Sequence, residues 1–209
     1  MTTPDSTIGA FIHRLVLLGL GLAAVAGEVR GEVPDSVSRA IEYVLKQPSD
    51  HPRAAVVDFA AHAMTPRFHV IDRASGRRLG SYKVAHGRGS EGKRNDGYAE
   101  VFSNVPASNA SSLGLYQTQE IYRGKYPGKS MRLEGLSATN SNARLRTIVI
   151  HSEWYMEPEW WRRKKMLVPG RSEGCFVFSK ADLDTVLHQL KGGALIYAYF
   201  EKPQSEATR

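Results

Sequence analysis

Apolar residues recur at helical spacing in one early segment. Val37, Ala40, Ile41, Val44 and Leu45 stand at i, i+3, i+4, i+7 and i+8, which predicts an amphipathic helix over 35–47 with Asp35 or Ser36 as its N-cap. Pro48 and Pro52 break it. The period then shortens. Runs at 56–60, 68–72 and 79–85 predict strands, the last two joined as a hairpin through Ala74-Ser75-Gly76. Residues 87–97, rich in Gly, Arg, Lys, Asp and Asn, predict a loop, and 99–102, 115–121 and 130–134 are further short strand candidates. The β-branched, half-alternating stretch Leu145-Arg146-Thr147-Ile148-Val149-Ile150 predicts a strand entering the core. Helical spacing returns through Leu183, Val186, Leu187 and Leu190, with Gly192 or Gly193 as the stop, and 194–200 reads as a final strand. The pattern predicts a mainly β domain with one helix before it and one inside it.

The first residues follow a different logic. Arg14 precedes an apolar run over 15–26 that closes on Ala24-Val25-Ala26. The run is short for a membrane span, and its order of charge, apolar stretch and small residues is that of a cleaved secretory signal. The expected organisation is a signal over 1–26, a linker with the N-terminal helix over 27–65, and the main domain over 66–203. No other segment approaches a membrane span, so the expected mature protein has no stable transmembrane segment. It is expected in the periplasm or otherwise secreted, associated with the cell wall.

Export changes how the cysteine is read. Cys175 is the only cysteine, so it cannot form an internal disulfide, and a leftover thiol in an oxidising compartment is a liability unless it pairs between molecules or does chemistry. The net charge of +7 favours a polyanionic partner, with anionic wall polymer ahead of lipid or nucleic acid for an exported chain. Nothing resembles a nucleic-acid module, and the basic residues are scattered apart from Arg162-Arg163-Lys164-Lys165.

Candidate chemistry concentrates between His151 and Cys175. His151-Ser152 follows the predicted strand, and Cys175 sits in the turn Gly170-Arg171-Ser172-Glu173-Gly174-Cys175 ahead of the apolar Phe176-Val177-Phe178. A thiolate attacking a carbonyl needs an imidazole within reach to take its proton, and Gly174 with neighbouring backbone amides suits an oxyanion hole. Metal binding is a poor rival, because one cysteine with scattered histidines lacks zinc-ligand spacing.

Ile150-His151-Ser152 followed by Arg171-Ser172-Glu173-Gly174-Cys175 resembles the active-site signature of the murein L,D-transpeptidases (YkuD-like), in the branch whose cysteine motif reads Arg-Ser-x-Gly-Cys. The resemblance extends through Ala85-His86-Gly87, Phe102-Ser103-Asn104, Ser111-Ser112-Leu113-Gly114-Leu115-Tyr116, Leu133-Glu134-Gly135-Leu136, Asn140 and Asn142-Ala143, and so covers 66–200. It implies an L,D-transpeptidase-like β-sandwich or barrel with a helix after the cysteine motif. It implies that Cys175 attacks the bond before the terminal D-alanine of a peptidoglycan tetrapeptide stem and forms a thioester. His151 would activate Cys175 and then the incoming amine, Ser152 would orient the imidazole through its carbonyl, and the Gly174 and Cys175 amides would hold the oxyanion. Arg171 and Ser172 would shape the motif or contact substrate carboxylates. The acceptor amine of a second stem would release the acyl group as a 3→3 cross-link. No metal or organic cofactor is implied.

One residue departs from the wider family, which often carries histidine where this chain has Glu173. An acidic neighbour disfavours the thiolate if it points at the sulfur; the alternatives are that it points away, pairs with Arg171 or binds a substrate amine. His86 is either a cleft residue or structural, and Tyr116 either borders the donor cleft or is a core aromatic. Trp154, Trp160 and Trp161 either form a lid with Arg162–Lys165 or pack against their own domain. His13, His51, His62, His69 and His188 have no partner motif. Two other functions stay open: an L,D-carboxypeptidase or related cysteine hydrolase of murein peptides using the same site, and a non-catalytic wall-binding module.

Overall fold

The computed structural model of the chain describes residues 35–124, 128–164 and 171–201. The expected signal over 1–26, the start of the linker, and Lys165 of the basic run lie outside them. Eight strands form one mixed sheet: β1 (Arg53–Asp58), β2 (Phe68–Asp72), β3 (Arg78–Tyr82), β4 (Gly114–Tyr122), β5 (Ser130–Gly135), β6 (Val149–Ser152), β7 (Phe176–Phe178) and β8 (Leu195–Tyr199). Their spatial order is β3-β2-β1-β8-β4-β5-β6-β7. β1 with β8 and β6 with β7 run parallel, and the other neighbours are antiparallel. The two ends of this order approach each other, because the Ala85 amide beyond β3 donates to the Val177 carbonyl of β7 at 2.9 Å. The sheet is therefore nearly closed, and few edge groups are left without a partner.

Helix α1 (Asp35–Lys46) lays Val37, Ala40 and Val44 on the outer face of the sheet, against Ala54 and Val56 of β1, Leu115 of β4, and Leu195 and Tyr199 of β8. Ala55 and Val57 of β1 and Ile196 and Ala198 of β8 point the other way, into the main core. Being covered on both faces explains why β1 reads as a continuous apolar run rather than an alternation. It also brings the sheet's start to Arg53, upstream of the expected domain start at 66. α3 (Lys180–Leu190) fills the core with Leu183, Val186, Leu187 and Leu190. The Ser179 hydroxyl caps it by accepting from the Asp182 amide at 3.2 Å.

Three expectations are corrected. Residues 99–102 form no strand: only Ala99 makes an isolated bridge, to Glu91. The strand expected over 145–150 begins only at Val149, because Leu145, Arg146 and Thr147 belong to a turn whose hydrogen bonds are local. The stretch joining His151 to Cys175 carries a short helix, α2 (Pro158–Lys164), that the polar–apolar pattern did not reveal.

Phe176 lies at the centre of the core, edge-to-face with Tyr116 at 5.4 Å and near Phe59 and Phe68. Phe176→Ala is expected to lower unfolding stability by about 3–5 kcal/mol, whereas Val105→Ala, at an exposed site, should stay within about 0.5 kcal/mol. Urea unfolding of the two variants beside the parent checks the contrast.

Candidate active site

The parallel pairing of β6 with β7 sets Ile150 beside Phe176, His151 beside Val177 and Ser152 beside Phe178. Side chains alternate across a strand, so Ile150, Phe176 and Phe178 enter the main core. Val149, Cys175 and Val177 face the opposite side, in a cluster with Ala85, Met156 and Trp161. His151, in register with Val177, is on this second face too. The two residues singled out from sequence thus share one side of a two-strand ribbon. Both are buried, Cys175 at 6% and His151 at 2% exposure.

His151 Nδ1 lies 3.1 Å from the Ser152 carbonyl. A carbonyl only accepts, so Nδ1 carries a proton, and in the neutral ring the lone pair is then on Nε2. That is the tautomer a general base requires. The Cys175 thiol donates to the Thr147 carbonyl at 3.6 Å.

The turn before Cys175 is tied to itself. Ser172 Oγ donates to the Cys175 carbonyl at 2.8 Å and accepts from the Gly174 amide at 3.1 Å. The Gly174 N–H is therefore already engaged in this state, and of the two amides expected to meet an oxyanion only that of Cys175 is not given to Ser172. The need for glycine at 174 is conformational. Its φ is +110°, and an added Cβ would lie 2.7 Å from the Ala110 carbonyl. Glu173 points out to Arg88 at 3.1 Å, away from both the sulfur and Arg171.

Arg171 turns inward instead, into a chain of buried polar groups. Arg67, fully buried, gives two hydrogen bonds to the Val84 carbonyl and one, at 2.8 Å, to His86 Nδ1. His86 Nε2 donates to Glu91 at 2.6 Å, and Glu91 pairs with Arg171, which also donates to Asn95 at 3.0 Å. His86 is held neutral: burial, then the Arg67 and Arg171 charges, push its pKa down to about 2. The Ser172 amide donates to the His86 carbonyl at 3.0 Å, so this chain of charges anchors the cysteine turn. Tyr116 is equally enclosed, bonded to Ser112 and pushed up to about 12 by burial. His86 and Tyr116 are fully buried and Ser172 nearly so. His86, Tyr116, Ser172 and Arg171 are each bonded to other groups of the protein.

The chain matches the L,D-transpeptidase catalytic domain over residues 29–199. The chain belongs to that family. Similar solved structures include L,D-transpeptidases from Mycobacterium smegmatis (13% identity, TM-score 0.40, 71% of this chain and 58% of that one) and Stackebrandtia nassauensis (14%, 0.42, 78% and 66%). The helical cell shape determining protein Pgp2 from Campylobacter jejuni is another (12%, 0.42, 78% and 56%). The chain thus spans less than two thirds of the length of each. No curated protein matches it.

Other motifs of this L,D-transpeptidase domain form the scaffold behind the ribbon. Asn142 makes two 3.0 Å hydrogen bonds with Asn104, and Asn140 Nδ2 donates to the Leu115 carbonyl at 2.9 Å. The aromatic connection divides: Trp161 packs beside Cys175 and donates to the Tyr155 carbonyl, whereas Trp154 is 57% exposed. Among the described residues no helix is long and apolar enough to cross a membrane.

Sequence reasoning missed three contributors. Glu91 was hidden in a polar loop, although its place five residues after His86 was a usable signal. Arg146 and Thr147 were assigned to a strand. They end a helical turn in which the Thr147 amide donates to Arg144 and that of Ile148 to Ala143, at 3.1 and 2.9 Å. This is a Schellman-type end with Thr147, φ +56°, where glycine is usual. A β-branched residue there costs roughly 1–2 kcal/mol.

Removing Glu91 leaves Arg171 without its carboxylate, so Glu91→Ala should cost about 3–5 kcal/mol, read by chemical unfolding. The depressed His86 pKa also gives a pH signature. Its contribution is fully present above the ordinary 6.5 and is lost progressively as pH falls toward about 2, because the unfolded chain binds the proton first. Acidification from pH 7 to 4 should therefore lower the melting temperature less in His86→Gln than in the parent, with His69, lowered to about 4 by burial, contributing in both.

Proposed function

We propose that this domain is a peptidoglycan L,D-transpeptidase that forms 3→3 cross-links through a cysteine thioester. The observation carrying the reading is the hydrogen bond from His151 Nδ1 to the Ser152 carbonyl, which leaves Nε2 as the base on the face that Cys175 shares. Family membership over residues 29–199 supports the substrate class.

In the proposed cycle His151 Nε2 takes the Cys175 proton. The thiolate attacks the carbonyl before the terminal D-alanine of a tetrapeptide stem. Collapse of the tetrahedral adduct breaks the amide, His151 returns the proton to the leaving amine, and D-alanine departs as the thioester forms. A side-chain amine of a second stem then attacks the thioester and loses its proton to His151, and the thiol is regenerated. Hydrolysis by the same site differs only in which nucleophile reaches the thioester. The setting for this chemistry is outside the cytoplasm, at the wall.

Incubation of the purified protein with tetrapeptide muropeptides should give 3→3 dimers and free D-alanine. Tripeptide monomers alone would reject transpeptidation in favour of hydrolysis. Cys175→Ser should stay folded and lose essentially all turnover, and His151→Gln should lose about 10²–10⁴-fold. A carbapenem should add its mass to the parent and not to Cys175→Ser; an unchanged parent mass would point to a non-catalytic wall-binding module.

A further inference from the structure

Among the described residues, no carboxylate is bonded to the Arg146 guanidinium. The half-buried guanidinium donates to the Ser103 carbonyl at 2.7 Å, to Ser112 Oγ at 3.3 Å and to the Ala110 carbonyl at 2.5 Å. All three acceptors are neutral. A desolvated cation without a counter-ion is costly, and burial indeed pulls the Arg146 pKa down. The acidic groups whose fields reach it are Tyr116 and Cys175. Tyr116, pushed up to about 12, stays neutral at any physiological pH. That leaves the thiol.

The guanidinium lies beside the reacting turn. Arg146 Nη2 would lie 3.0 Å from a Cβ added to Gly174, the residue before Cys175. The next residue, Thr147, turns its carbonyl onto the thiol by adopting φ +56°. The two neighbours act in opposite senses. The carbonyl accepts from S–H and so favours the protonated thiol; the guanidinium favours the thiolate.

We propose that Arg146 is a positioning cation for the nucleophile, stabilising the negative charge on the Cys175 sulfur and then on the acyl oxygen of the adduct. The proposal rests on Cys175 being the nucleophile, and it supplies a second source of oxyanion stabilisation in a turn whose Gly174 amide is bonded to Ser172. The titratable and charged groups of the neighbouring elements are otherwise engaged. His151 on β6 is the base, Tyr116 on β4 is neutral, Arg171 is turned into Glu91, and Glu173 is turned out to Arg88.

The test is the pH profile of Cys175 alkylation by iodoacetamide, with muropeptide turnover in parallel. Since the chain has one cysteine, the adduct is unambiguous by mass. Arg146→Gln should raise the apparent thiol pKa by about one unit, which cuts the rate about tenfold on the acid limb of the profile. Its plateau at high pH should stay within about twofold of the parent, and the acid limb of turnover should move up with it. Arg146→Lys keeps the charge and should restore the profile. An Arg146→Gln profile that superimposes on the parent overturns the proposal, even if turnover falls, because loss without a shift is a structural effect. Should Arg146→Gln fail to fold, a displaced profile in Arg146→Lys overturns it instead. A folded parent that shows no alkylation at any pH would sink the nucleophile assignment itself, a separate failure.

Discussion

The parallel pairing of β6 with β7 is the constraint on which the site depends. Two strands of four and three residues contribute few ladder bonds, so the ribbon is held mainly by what it packs against. Phe176 and Phe178 anchor one face in the aromatic core, and Val177 takes a bond from Ala85 to close the sheet. Parallel neighbours cannot be joined by a tight turn; they need a crossover of a dozen or more residues, usually helical. The chain between His151 and Cys175 is that crossover, with α2 inside it. The wide spacing of the two residues in sequence and their shared face in space have the same cause.

The second organising feature is how charge is buried. Arg67, His86, Glu91 and Arg171 form an alternating chain in which each cation meets a carboxylate or a neutral acceptor, and the backbone of His86 and Ser172 links that chain to the cysteine turn. Arg146 differs in its field: Asp58 and Glu91 act on Arg67 and Glu91 pairs with Arg171, whereas the acidic groups acting on Arg146 are Tyr116 and the thiol. The contrast separates a cation that fixes geometry from one that sets a field. A thiol donating to a carbonyl and only 6% exposed is also less open to oxidation than an exposed thiolate.

Much of this was legible beforehand. The spacing of Val37, Ala40 and Val44 and of Leu183, Val186, Leu187 and Leu190 located α1 and α3, because an amphipathic helix writes its buried face into the sequence. The hairpin around Gly76 was readable from its turn residues. Arg146 and Thr147 were misread because a β-branched run imitates a strand, while the actual conformation is a helical turn ended by a threonine at positive φ. Local hydrogen bonds close that turn, and contacts with Ser103, Ala110 and the Cys175 thiol fix it in place. α2 was missed because its seven residues are too few for a period to show.

Cys175, His151 and the Arg-Ser-x-Gly-Cys motif stood out by residue type and order, so the sequence alone pointed to thiol chemistry and to the family. What each neighbour does was decided by the fold. His86 and Tyr116 face inward because burial, which depends on the whole sheet, cannot be read from a local motif. Arg171 meets Glu91 rather than Glu173 because the loop over 87–97 folds back beside the cysteine turn. Whether a charged side chain supports a site or acts in it depends on which partners long-range packing brings within a few ångströms, and no local pattern carries that information.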